Sequence, residues 1–199
     1  AEGSTFTTVT LDNYVTDPDN LDADMTWAYA IKDAQDDFTV SIVNRIATIS
    51  ALAPDSNGTD TIIFRATDPT DLWDEDTAIY VITAVNDAPV VAGIPDQSIT
   101  AGQNFAWIAL YLYATDVDNS DAQLTWTYSG QGELIMDTVL ADPLIISLAP
   151  PNVNWTGIQN ITFTATDPSA ASDNDIATFT VTAAPVSWHK IKGLKRGHR

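Results

Sequence analysis

The sequence predicts an all-β protein built as two tandem β-sandwiches. Three observations carry that expectation. Residues 1–85 recur at 100–184, offset by 99 positions, so the chain is one module written twice. Within each copy, Thr, Val, Ile and aromatic residues alternate with a period of two, the pattern of half-buried strands. Between those runs stand clusters of Asp, Asn, Pro and Gly, which form turns. No convincing amphipathic helix interrupts the pattern.

The elements follow in order. FTTVTLDNY (6–14) places Val9 and Leu11 on one face, and YVTDPDNLD (14–22) is an acidic turn. MTWAY (25–29) reads as an early strand carrying Trp27, and IFRATDP (63–69) as a late strand running into a turn. AVNDAPVVAGIPDQS (84–98) is the join, because the residue before a proline is held out of the helical region. A strand over about 90–99 opens the second module, followed by FAWIALYLY (105–113), where strict alternation predicts one long strand. YATDVDNSD (113–121), LTWTY (124–128) and ITFTATDP (161–168) repeat the first copy's motifs. NITFTAT (160–166) and IATFTVT (176–182) alternate Thr with apolar residues. AEGSTF (1–6) aligns with TAGQNF (100–105), so the first module starts one strand late.

About a hundred residues per unit, short strands and regular turns indicate an immunoglobulin-like Greek-key sandwich. The expected domains are 1–86, lacking its first strand, 87–185, and a tail over 186–199. Trp27 and Trp126 hold equivalent places and are expected to be core residues. Trp73, Trp107, Trp155 and Trp188 have no repeat partner; Trp155 is read as a plug at the sandwich end, with sugar stacking as the alternative.

Charge narrows the function. The chain has 27 acids against 8 bases and a net charge of -19, so nucleic acid is a poor partner. Glutamate occurs only at Glu2, Glu75 and Glu133; the other acids are Asp, a turn former and a hard oxygen ligand. There are no cysteines, which removes disulfides and thiolate chemistry. No stretch is long and apolar enough to span a membrane. Both histidines, His189 and His198, lie in the tail, so a Ser-His-Asp arrangement has no histidine in the folded body. Zinc sets and glycine-rich phosphate loops are likewise missing, and the protein is expected not to be an enzyme. Three Asn-x-Thr sequons occur, with Asn57 and Asn154 the loop candidates for glycosylation and Asn160 in a strand.

The three repeated motifs, Thr-Asp-x-Asp-Asn, Ala-Thr-Asp-Pro and Val-Asn-Asp-Ala-Pro, resemble those of prokaryotic cadherin-like and related Ig-like tandem repeats. The resemblance covers residues 1–185 and implies a secreted or cell-surface adhesin-type protein, with calcium as cofactor. It implies calcium ligands at Asn86, Asp87, Asp116, Asp118 and Asp167, and at Asp17, Asp19 and Asp68 in the first module. The cadherin Asp-Arg-Glu motif is absent. Calcium takes six to eight oxygens, and adjacent carboxylates without a cation repel one another. The alternative is that these acids are turn formers and solubilising surface. Asp173 and Asp175, with Asp74 and Asp76, are weaker metal candidates.

The functional expectation is an extracellular structural or adhesive repeat stiffened by calcium at the junction. Its partners would be further repeats of the same protein, other copies of itself, or a surface glycan or protein. Two alternatives stand beside it: a glycan-binding module using exposed Trp, and a filament subunit. For the latter, the tail holds five of the eight bases (Lys190, Lys192, Lys195, Arg196 and Arg199) and apolar anchors Val186, Trp188, Ile191 and Leu194. Such a tail suits strand donation to the first module of the next molecule.

Overall fold

The computed structural model describes residues 1–32, 38–139 and 142–185. The expectation for the tail therefore falls outside the described residues. The chain divides into two compact units, Ala1–Asn86 and a second beginning at Asp87.

In the first unit, β1 (Val9–Thr10), β4 (Ile46–Ala51) and β3 (Phe38–Val43) form one sheet in that order. The other sheet holds β2 (Thr26–Ile31), β5 (Gly58–Thr67) and β6 (Trp73–Ile82), ordered β2-β5-β6. The period of two does what it predicts in β5, where Ile62, Phe64 and Ala66 turn inward. With Leu11, Phe38, Ala47, Ile49 and Ile82 they close the core.

The second unit adds two short strands at its start, β7 (Val90–Val91) and β8 (Gln97–Thr100). Then come β9 (Ile108–Ala109), β10 (Ala114–Thr115), β11 (Thr125–Ser129), β12 (Ile135–Val139), β13 (Asp142–Ala149), β14 (Gly157–Thr166) and β15 (Ser172–Thr182). The main sheet is β11-β14-β15-β8, where β8 pairs parallel to β15; β12-β13-β9 and β10-β7 complete the sandwich. Ile161, Phe163 and Ala165 of β14 face Ala177, Phe179 and Val181 of β15 within one core. The repeat extends to contacts. Phe105 meets Phe179 edge-on at 5.2 Å, and Phe6 meets Tyr80 edge-on at 5.1 Å. Thr26 and Thr125 donate their hydroxyls to the carbonyls of Thr67 and Thr166, each at 3.2 Å.

Three expectations need correction. Residues 105–113 do not form one strand: only Ile108–Ala109 is extended and paired, and a 3₁₀ turn follows at Leu110–Leu112. Ile108 and Ala109 pair with Ile146 and Ile145 of β13, whereas Ala114 and Thr115 pair with β7. The chain changes sheets within the segment, so Phe105, Ile108 and Leu110 are buried out of phase with alternation. The strand expected over 90–99 is likewise two pieces, separated by Ala92–Asp96. Trp27 and Trp126 are half-buried and lean on their cores from the margin instead of lying inside them. Among the described residues there is no α-helix, and no helix long and apolar enough to cross a membrane.

Candidate metal centre

The acidic loops are built alike in both units. Asp116 folds its own turn: its Oδ1 accepts the N–H of Asp118 at 2.9 Å, the N–H of Asn119 at 2.8 Å and the Asn119 amide at 3.1 Å. Asp17 does the same with Asp19 at 2.9 Å and Asn20 at 2.8 and 3.2 Å. The backbone N–H of Asp19, then the N–H and amide of Asn20, hold the Asp17 carboxyl below its usual range. Thr-Asp-x-Asp-Asn is thus an Asx-type turn with the first Asp at its centre.

Asp68 and Asp167 sit at the ends of the long strands and are nearly buried. The N–H groups of Thr70 and Leu72 donate to Asp68 Oδ1, each at 2.8 Å, and the Thr70 hydroxyl reaches Oδ2 at 2.9 Å. Ala171 N–H donates to Asp167 Oδ1 at 2.8 Å. These bonds close a tight turn in which Asp71 and Ala170 take φ of 67° and 70°.

Asp118 is exposed, and its Oδ2 accepts the N–H of Asp87 at 2.8 Å. Asn86 is exposed, at the last position of the first unit. In the first unit, Asp17, Asp68 and Asp74 line one pocket of about 190 Å³ beside Met25 and Trp73. Asp19 does not line it. Sequence reasoning gave Asp74 less weight than Asp19; the pairing of β6 with β5, which sets Ala66 opposite Asp74, is what brings it there.

Whether these residues suit calcium turns on one atom. Asp116 Oδ2 is buried and has no hydrogen-bond partner, while Oδ1 of the same carboxylate accepts three bonds. A buried carboxylate oxygen without a donor is costly unless a cation meets it. The partners that the sequence offers for it, Asp118, Asp167, Asp87 and Asn86, all carry hard oxygens, the kind calcium takes. Among the described residues, no three acids are gathered as a finished cage. The donor set therefore fits in kind, and the carboxylates stand apart.

The other candidates separate cleanly. Asp173 and Asp175 are bound to backbone: Oδ2 of Asp173 accepts Val91 N–H at 2.8 Å, and Oδ2 of Asp175 accepts Ile94 N–H at 2.9 Å. Trp155 packs against the core and gives its indole N–H to Glu133, as a plug would. Trp73 is exposed, with Arg65 stacked 4.1 Å over its ring and paired in turn to Glu75. Asn154 is exposed in a turn, and the Asn57 amide donates to Glu2 Oε1 at 2.7 Å.

Comparison with known proteins agrees with this architecture. The family model of the bacterial Ig domain matches residues 86–182. No curated protein matches the sequence. Among solved structures, the extracellular cadherin domains 1–5 of protocadherin gamma B2 align with a TM-score of 0.51 at 20% identity, covering 82% of this chain and 33% of that one. A structure of protocadherin gammaB7 domains 3–6 aligns with a TM-score of 0.50 at 17% identity, covering 92% of this chain and 43% of that one. This chain spans only a third to two-fifths of such structures, and at these identities the likeness concerns the fold alone. Residues 86–182 thus match the model of the bacterial Ig domain, and the chain shares its fold with extracellular cadherin domains.

Proposed function

We propose that this is an extracellular structural and adhesive repeat protein, at the cell surface or secreted, whose acidic loops take calcium at the start of the second module. The observation that carries the reading is Asp116: one carboxylate oxygen is saturated by its own turn and the other is buried without a partner. Asp116, Asp118, Asp167 and Asp87 would hold the ion, with the Asn86 amide oxygen beside them. Asp17, Asp19 and Asp68 would serve the first module, joined by Asp74. Bound calcium would supply positive charge to loops of a chain whose net charge is -19. The residues supply the rest. Asp118 ties the linker N–H of Asp87 to the 116–119 loop, and a shared cation would tie their carboxylates too, limiting the hinge at 86–87. Partners would be neighbouring repeats or surface molecules.

The test is melting with calcium and with chelator at matched ionic strength, because salt alone screens acidic repulsion. Calcium at about 100 times its dissociation constant adds about 2.7 kcal/mol, several degrees for a module this size. Asp116→Asn should remove most of the second module's shift. Equal melting with calcium and with chelator would refute the reading.

A further inference from the structure

Val91 and Ile94 are core residues of the second module that arrive on its first strands, β7 and the segment after it. Their N–H groups are held by Asp173 and Asp175, and Asp96 accepts the N–H of Thr178 at 2.6 Å. Their side chains join a core with Ile108, Leu110 and Phe163.

The first module carries the other half of every one of these contacts. Asp74 and Asp76 stand where Asp173 and Asp175 stand, and both are exposed. Val9, Leu11 and Phe64 replace Ile108, Leu110 and Phe163. Among the described residues nothing occupies the place of Val91 and Ile94. The result is a groove of about 480 Å³, floored by Val9, Leu11, Trp27, Phe64 and Tyr80 and rimmed by Asp74, Glu75 and Asp76. Its floor is less covered than its counterpart: Phe64 is 8% exposed against 1% for Phe163, and Ala66 9% against 0% for Ala165. Among the described residues, β6 has no neighbour where β15 has β8.

The sequence holds a segment shaped for this groove. Ile191-Lys192-Gly193-Leu194 reproduces the order of Val91-Ala92-Gly93-Ile94. The shared glycine is a requirement of the path: Gly93 has φ +78°, which side-chain-bearing residues rarely adopt. Lys190, Lys192, Lys195 and Arg196 flank the match, opposite in sign to the acidic rim. A neutral strand would gain nothing from that rim.

We propose that the groove of the first module takes residues 190–197 of a second copy as a strand, so that copies join tail to groove. Ile191 and Leu194 fill the places of Val91 and Ile94, with their N–H groups on Asp74 and Asp76. The contact is heterologous, so it does not close on itself and it propagates into filaments. It shares Asp74 with the calcium reading of the first module but uses neither Asp116 nor Asp118, so Asp116→Asn tests calcium without touching the groove, and the tail variant tests the groove without touching a proposed calcium ligand.

The test uses the full chain. Sedimentation over a hundredfold range of concentration should show mass growing without a closed end point, and more weakly at high salt. Ile191→Asp with Leu194→Asp should leave a monomer, as should Asp74→Lys with Asp76→Lys on the exposed rim. Mixed, the two variants should give one-to-one dimers that do not grow, because one retains only a groove and the other only a tail. A monomeric full chain, or a tail variant that still assembles to wild-type size, overturns the proposal. A monomer whose groove binds a synthetic peptide of residues 87–100 overturns it too, since the groove would then belong to a linker strand of another repeat.

Discussion

Val91 gives its backbone N–H to the carboxylate of Asp173 at 2.8 Å, across 82 residues of sequence. The bond fixes the second module's first strand to its last. Hydrogen bonds to a charged group contribute roughly 1.5–3 kcal/mol, so Asp173→Ala should destabilise that module by about 2 kcal/mol. Asp74→Ala, at the equivalent site, meets no such donor and should cost close to nothing in the monomer. Equal losses from the two substitutions, read by urea denaturation of each module, would disprove the asymmetry.

Trp155 crowds Gly157 so closely that a Cβ there would lie 2.7 Å from the indole ring. Gly157→Ala must displace the ring from the core edge and from Glu133. Overpacking of this kind costs about 1–3 kcal/mol, and the indole fluorescence should shift to the red as the ring becomes wetter. Gly102→Ala is the control: its nearest neighbour is a carbonyl oxygen at 3.9 Å, although its φ of +90° carries a cost of its own. An unchanged fluorescence spectrum in Gly157→Ala would mean that the ring does not sit as described.

Trp126 and Trp73 should part company on truncation. Trp126 leans on the second core, and Trp126→Ala should cost about 3 kcal/mol, the low end for a large aromatic because the ring is only partly buried. Trp73 is 56% exposed and rests on Arg65, so Trp73→Ala should cost about 1 kcal/mol. Thermal melts of the two variants rank them; a larger loss at Trp73 would reverse the assignment.

The long strands β5, β14 and β15 were legible because a run of alternate residues in each is buried. In Ser172–Thr182, Ala177, Phe179 and Val181 point inward and Thr178 and Thr180 outward, and a period of two reports that directly. Residues 105–113 show the same local alternation, yet the chain leaves one sheet for another within them, and no local pattern records a change of sheet. The acids divide in the same way. The turn built by Asp116 is readable from Asp-x-Asp-Asn alone. That Asp173 serves a distant strand, and that Asp74 shares a pocket with Asp17 and Asp68, depends on strand register that sequence spacing does not reveal.

The Asp17 turn makes a pH-dependent contribution whose sign is fixed by its hydrogen bonds. The N–H of Asp19 first, then the groups of Asn20, favour the charged carboxylate and lower its pKa from the usual 3.8. A group depressed in the folded state binds its proton more readily in the unfolded chain. Its stabilisation is therefore complete above the unfolded value and fades as pH falls through the lower, folded one. The first module should lose this contribution below about pH 4, and Asp17→Ala should flatten that part of its acid-melting curve. An NMR titration of the Asp17 carboxyl carbon without calcium should give a midpoint below 3.8. A midpoint above it would mean that the turn does not hold the charged form, and that repulsion from the acids lining the same pocket, Asp68 and Asp74, outweighs the donors.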